Sequence, residues 1–240
     1  MLTKHNIKKT DYLEESQFAE MSLIAQEYTV AMNLSNLSNR VNDSKVTFYG
    51  GASIPTGSPS YKLIFDIAKQ FTLRGYSVVS GGGPGAMSAS LEGCQSGINE
   101  LRKSIINSKD SGIVCQVIPQ TIAYCINLPQ EEAKLNSDIH YVFSFFAPRK
   151  YALRQSQVYI ICPGGMGTLD EVCEILDLIK TNKLPKRPIY LLDSDFWSGF
   201  DEWLNSEIVI ERGLAGKELL SLFKIIDTKE QIIEDYFGKD

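Results

Sequence analysis

The chain has 240 residues, 43% of them hydrophobic and 22% charged, the composition of a soluble globular protein with apolar material for a substantial core. Its net charge of −5 gives no basic footprint for nucleic acid or for an anionic membrane, so an anionic substrate needs a local site. No apolar run reaches membrane-spanning length, the N-terminus lacks a signal-peptide core, and five cysteines without a CxxC pair fit a reduced, cytoplasmic protein.

In chain order, Phe18, Met21, Ala25, Tyr28 and Met32 stand three and four apart and predict a helix over 11–32. Such a seam suits packing against its own domain, with a dimer contact as the sharper alternative. Residues 33–44 (NLSNLSNRVNDS) are polar and turn-rich and read as a linker. Residues 1–44 are therefore expected to be a helical extension ahead of a domain over 45–240. Residues 45–49 predict a first strand, and the GGASIPTGSPS loop after them suits the rim of a ligand crevice.

A helix over 61–74 stops at Gly75, and a strand over 76–79 follows. That strand runs into the glycine loop 80–87 (SGGGPGAM), with Pro84 expected in the first turn of the next helix. Residues 113–118 are the next strand candidate, with 101–110 leading up to it. Residues 121–137 read as irregular, 139–143 as a short strand, and 147–156 as a helix opened by Pro148, Arg149 and Lys150.

The stretch 156–181 is the clearest in the chain. Val158, Tyr159, Ile160, Ile161 and Cys162 form a continuous apolar run, as in a strand covered on both faces. Pro163 ends it, and Gly164, Gly165 and Gly167 make the turn that follows. Thr168 suits an N-cap, with Glu171 completing a capping box. Leu169, Val172, Leu176 and Ile179 then supply the buried stripe of a helix. Beyond it lie a strand over 188–192, a helix over 196–212 stopping at Gly213, a short strand over 223–226 and a terminal helix. Strands alternating with helices imply an α/β fold, a single Rossmann-like, doubly wound and mostly parallel sheet with helices on both faces.

A glycine turn feeding a helix presents free N–H groups and the positive dipole end, a ready site for an anion. Two such loops at strand carboxyl ends would face one crevice. Gly81 and Gly83 give G-x-G-x-x-Ala with no acidic residue at the ribose distance, and GxxxxGK[ST] is missing, which disfavours a dinucleotide dehydrogenase and a P-loop NTPase. Glu171 reads either as a capping glutamate or as a carboxylate beside a bound sugar phosphate, and on spacing alone capping is the stronger. Arg149 and Lys150 near a helix start oppose the dipole, which points to an anionic ligand. His5 and His140 have no partner motif, so neither a His-based triad nor a zinc site is expected.

Phe145-Phe146-Ala147-Pro148-Arg149-Lys150, followed by Pro163-Gly164-Gly165-Met166-Gly167-Thr168-Leu169-Asp170-Glu171, resembles the RK pair and PGGxGTxxE motif of the Lonely Guy family. The resemblance runs from about Lys45 to the C-terminal helix and takes in GGGPGAM, Leu128-Pro129-Gln130-Glu131 (like LPxEQ) and Asp195-Phe196-Trp197-Ser198-Gly199. Ser88 stands where many relatives carry Glu after GGGPGxM, and Glu132 stands for the Gln of LPxEQ.

Family members, long labelled lysine decarboxylases, cleave nucleoside 5′-monophosphates to base and ribose 5-phosphate. The resemblance implies that chemistry here, on AMP or an N6-substituted, cytokinin-type AMP. It implies that Gly164, Gly165, Met166, Gly167 and Thr168 hold the 5′-phosphate, that Glu171 stabilises the ribosyl cation and that Arg149 positions substrate and carboxylate. Gly81, Gly82, Gly83, Gly85, Met87, Glu131 and Lys150 would complete substrate binding, with Met87 facing the base and Glu131 the ribose or base edge. A homodimer or higher homo-oligomer is implied, with no metal or redox cofactor, and nothing in the sequence supports pyridoxal chemistry. The alternatives are a broad purine or pyrimidine nucleotide nucleosidase in salvage, or a protein that binds a nucleotide or molybdenum cofactor without turning it over.

Overall fold

The computed structural model describes residues 15–39, 44–107, 118–128 and 137–238. Among the described residues, seven strands form one sheet in the order β4-β3-β2-β1-β5-β6-β7. They are β1 (Ser44–Tyr49), β2 (Tyr76–Ser80), β3 (Thr121–Ile126), β4 (Ile139–Phe143), β5 (Val158–Ile161), β6 (Ile189–Leu192) and β7 (Lys224–Ile226). All six pairings are parallel, and helices stand between β1 and β2, β2 and β3, β4 and β5, β5 and β6, and β6 and β7. The helices are α1 (Glu15–Asn39), α2 (Pro59–Leu73), α3 (Ala86–Asn107), α4 (Phe146–Leu153), α5 (Met166–Lys180), α6 (Ser194–Trp203) and α7 (Lys229–Phe237). A π-helical segment, Leu204–Glu211, continues α6. This is the expected doubly wound α/β, Rossmann-like fold. No helix among the described residues is long and apolar enough to cross a membrane.

Strand alternation sorts the core into two layers. Val46, Phe48, Val78, Val158, Ile160, Cys162, Tyr190 and Leu192 pack against α2, α3 and α7. Tyr49, Val79, Tyr159, Ile161, Ile189 and Leu191 pack on the opposite face with α4, α5 and α6. Strand residues buried on both sides read as unbroken apolar runs, which is why β5 stands out in the sequence. Local chemistry sets the helix ends: the Tyr61 N–H donates to Ser58 Oγ at 3.2 Å, with Pro59 opening α2. Gly75, at φ 89°, follows its C-cap.

Several sequence expectations are corrected. Residues 121–126, read as irregular, are β3, a run of β-branched and aromatic residues bounded by Pro119 and Pro129. The rival candidate over 113–117 lies outside the described residues, and Ile118 is not in a strand. Residues 101–107 belong to α3. Pro84 precedes α3 instead of sitting in its first turn, because Gly85 at φ 67° turns the chain first. The presumed linker is helical through Asn39, since Leu34 and Ser35 are carried into the interior by α1, and Ser44 already belongs to β1. The apolar seam of α1 is also not its packing face: Phe18, Met21 and Met32 are exposed. Tyr28 alone of that seam packs inward, edge-on against Tyr151 of α4 with ring centroids 6.0 Å apart; Ala31 joins it in the core.

Candidate active site

Strand order reverses between β1 and β5, and the crevice outside carboxyl ends at such a switch point is the natural ligand site of an open parallel sheet. Here the loops after β1, β2, β3 and β5 enclose a cleft. Main-chain bonds tie these loops together: the Gly51 N–H donates to the Pro163 carbonyl at 2.9 Å, and the Ala86 N–H to the Gly51 carbonyl at 3.1 Å.

The glycines divide by role. A Cβ at Gly164 would strike the Thr168 side chain and the Gly51 backbone, and one at Gly85 would strike the backbone of Gly51 and Ala52. These two therefore let the loops close on one another. Nothing lies within 4 Å of a Cβ built at Gly165 or Gly167, and both line the cleft. A ligand can approach the backbone there.

Helix α5 begins at Met166, with Gly165 at the N-cap in an extended conformation and no side-chain cap. The expected capping box is therefore absent. Glycine accepts the cap conformation three residues earlier than Thr168, so Thr168 falls in the first turn and Glu171 a turn deeper. The first helical N–H groups face the cleft mouth without an intrahelical acceptor, the arrangement that binds anions.

Glu171 meets Arg149 inside the cleft, Oε1 to Nη1 at 3.4 Å, with side chains only 13% and 10% exposed. Arg149 is fixed from behind, its Nε donating to the Tyr124 carbonyl at 2.8 Å. Burial pushes the Glu171 carboxyl from 4.5 up to about 7; Arg149 opposes the rise, Asp170 adds to it, Lys150 opposes it and Glu174 adds to it. Tyr49, buried beside them, has its phenol pushed up by burial and by the Glu171 charge. The cleft thus holds a carboxylate near neutrality next to a fixed cation, at the end of an anion-ready helix.

The structure brings Gly81, Gly82, Gly83, Met87, Arg149, Gly165, Gly167, Thr168 and Glu171 to this cleft. Gly164 and Gly85 support it from behind, while the Met166 side chain is 79% exposed and turned outward. The RK pair splits: Lys150 reaches over α5 to Asp170 at 3.0 Å and Glu174 at 3.5 Å, and does not line the cleft. Glu131 lies outside the described residues. Sequence reading missed Tyr49, Cys125, Leu128 and Phe146 as lining residues. Phe146 had one signal, its place a helical turn before Arg149. Among the described residues no group of three or more His, Cys, Asp or Glu could hold a metal ion.

Residues 98–236 match the family model described as "possible lysine decarboxylase". No curated protein matches the sequence. Among solved structures, the molybdenum cofactor binding protein of Rippkaea orientalis is 19% identical, with a TM-score of 0.54 over 82% of this chain and 96% of that one. The molybdenum cofactor carrier protein of Chlamydomonas reinhardtii is 15% identical, with a TM-score of 0.51 over 82% and 99%. The structural-genomics target TM1055 is 19% identical, with a TM-score of 0.52 over 80% and 99%. At these identities the likeness is one of fold.

Proposed function

The chain belongs to the family described as "possible lysine decarboxylase", the label long carried by Lonely Guy proteins, and from that premise we propose that it is a nucleoside 5′-monophosphate phosphoribohydrolase. The reaction is hydrolysis of the N-glycosidic bond of AMP or an N6-substituted AMP, giving free base and ribose 5-phosphate. The observation that carries this reading is the buried Arg149–Glu171 pair one turn into α5, beside open glycines. A site that only held phosphate would have no use for a buried carboxylate.

In this mechanism the N–H groups around Gly165, Gly167 and Thr168 bind the 5′-phosphate, assisted by the helix dipole. The ribose then lies over Glu171. As the bond from C1′ to the base nitrogen breaks, its electron pair leaves with the base and positive charge develops on the ribosyl ring. The ionised Glu171 carboxylate stabilises that charge, as carboxylates do in glycoside hydrolysis. Water adds to C1′, and its proton is released as the departing base takes one up. Arg149, locked on Tyr124, holds the carboxylate in place and keeps part of its population ionised. The base rests on the apolar wall of Met87, Cys125, Leu128 and Phe146.

A lysine decarboxylase would need pyridoxal phosphate on a Schiff-base lysine. The described lining of the cleft contains no lysine, and the Lys150 ammonium nearby is engaged by Asp170 and Glu174. The site does not fit that cofactor. The phosphoribohydrolase reading is tested with Glu171→Gln, which keeps shape and one hydrogen-bond acceptor while deleting the charge. A folded variant with near-normal turnover would refute it; the expected loss is on the order of 10²–10³-fold.

A further inference from the structure

Helix α4 carries Arg149, yet its own sequence supplies nothing to cap it. Its N-cap is Phe145, its first turn contains no acidic residue, and Pro148 has no N–H to offer. A helix of eight residues is marginal by itself and must be held by its surroundings. At its C-terminal end Ala152 and Leu153 are buried in the core, and Arg154 pairs with Glu174 of α5 at 2.6 Å. The end nearest the cleft is held by a residue from far away in sequence.

That residue is Glu27 of α1. Its carboxylate accepts the Ser144 N–H at 2.7 Å on Oε1 and the Phe145 N–H at 3.1 Å on Oε2. Glu27 is only 3% exposed, and a carboxylate is buried to that degree only where its oxygens are matched by donors. Two main-chain N–H groups at a helix start, aligned with the dipole, are such a match. Packing of Tyr28 on Tyr151 and burial of Ala31 seat α1 on α4, so the carboxylate arrives on a fixed platform.

We propose that Glu27 is a positioning residue: it clamps the β4–α4 junction and so sets Phe146 and Arg149 against the cleft, which makes α1 part of the site's machinery. Glu27 lies outside residues 98–236, the span matched by the family model. Phe146 is the first residue of α4 and Arg149 the fourth, so release of the junction moves both. A shift of about 1 Å in a positioning group can cost about 10²-fold in rate. The proposal rests on the cleft being the working site.

The test uses Glu27→Ala and Glu27→Gln in the full chain, alone and combined with Arg149→Ala. Amide exchange over 144–150 should quicken in Glu27→Ala while the core amides of β5 and α5 keep their protection. Nucleotide cleavage should fall in kcat by roughly 10- to 100-fold with a smaller change in KM. Glu27→Gln, which retains one acceptor oxygen, should recover part of that loss. In the Arg149→Ala background the further loss from Glu27→Ala should shrink to about threefold or less, because the two residues act through one geometry.

Unchanged exchange at 144–150 would overturn the proposal, as would an equal fractional loss in both backgrounds, which marks Glu27 as support for the fold alone. If Glu27→Ala does not fold, the same comparisons are read from Glu27→Gln. If the wild type cleaves no nucleotide, the phosphoribohydrolase reading fails, while the exchange measurement still decides the clamp.

Discussion

Replacing Glu171 by glutamine is expected to make the protein more stable, increasingly so as pH rises. In the folded chain the carboxyl holds its proton up to about pH 7, against 4.5 ordinarily, chiefly because it is buried. A difference of that size corresponds to about 3 kcal/mol between the charged and neutral forms. Below about pH 4.5 the group is neutral in both folded and unfolded chains, and its burial carries no charge penalty. Between that value and about 7 the folded state binds more protons than the unfolded state, so stability falls as pH rises. Above about 7 the full penalty is present. Glutamine removes it while offering Arg149 an oxygen, so the variant should gain up to about 3 kcal/mol at about pH 8.5 and almost nothing at about pH 4.5. The gain at high pH corresponds to about 6–12 °C in Tm for a chain of this size. Urea unfolding of both proteins across this range, without ligand, reads the difference directly. A variant equal to or less stable than wild type at about pH 8.5 would refute the reasoning. The gain in stability should accompany the loss of turnover, the usual trade at a site held for chemistry.

In the proposed mechanism the ionised form of Glu171 does the work, so kcat/KM should rise with pH and level off above about 7, and Glu171→Gln should abolish that rise; a wild-type profile flat from about pH 5 to 8 would contradict the assignment. Arg149→Ala should lower kcat/KM by about 10²–10³-fold in steady-state assays and move any remaining inflection upward, since Arg149 pulls the Glu171 value down. Gly164→Ala should destabilise the fold by about 1–3 kcal/mol in thermal unfolding, because its methyl group meets the Thr168 side chain and the Gly51 backbone. Gly165→Ala should fold normally and weaken nucleotide binding in calorimetry, since its methyl group points into open cleft.

The legible parts of this chain were those fixed by short-range periodicity. The Val158–Cys162 run, the glycine turn and the stripe of α5 can be read directly, because a doubly covered strand and an amphipathic helix leave distinct patterns. β3 was missed because a second apolar run precedes it across Pro119, and periodicity alone cannot choose between the two. The capping box failed because Thr168 and Glu171 have the right spacing for one start of the helix, while Gly165 accepts an earlier start. The division of Arg149 from Lys150 depends on which side of α4 faces α5, a tertiary fact that adjacency in sequence hides. The contact from Glu27 to Ser144 and Phe145 spans more than a hundred residues and has no sequence signal. The same holds for the raised Glu171 carboxyl, which depends on burial from several elements.

The most direct test of the central claim is to incubate the purified protein with a panel of nucleoside 5′-monophosphates and follow free base and ribose 5-phosphate. Release from AMP or an N6-substituted AMP, with none from the corresponding nucleosides, is the predicted result. Tight nucleotide binding without release of base would contradict the account and make the protein a carrier or sensor.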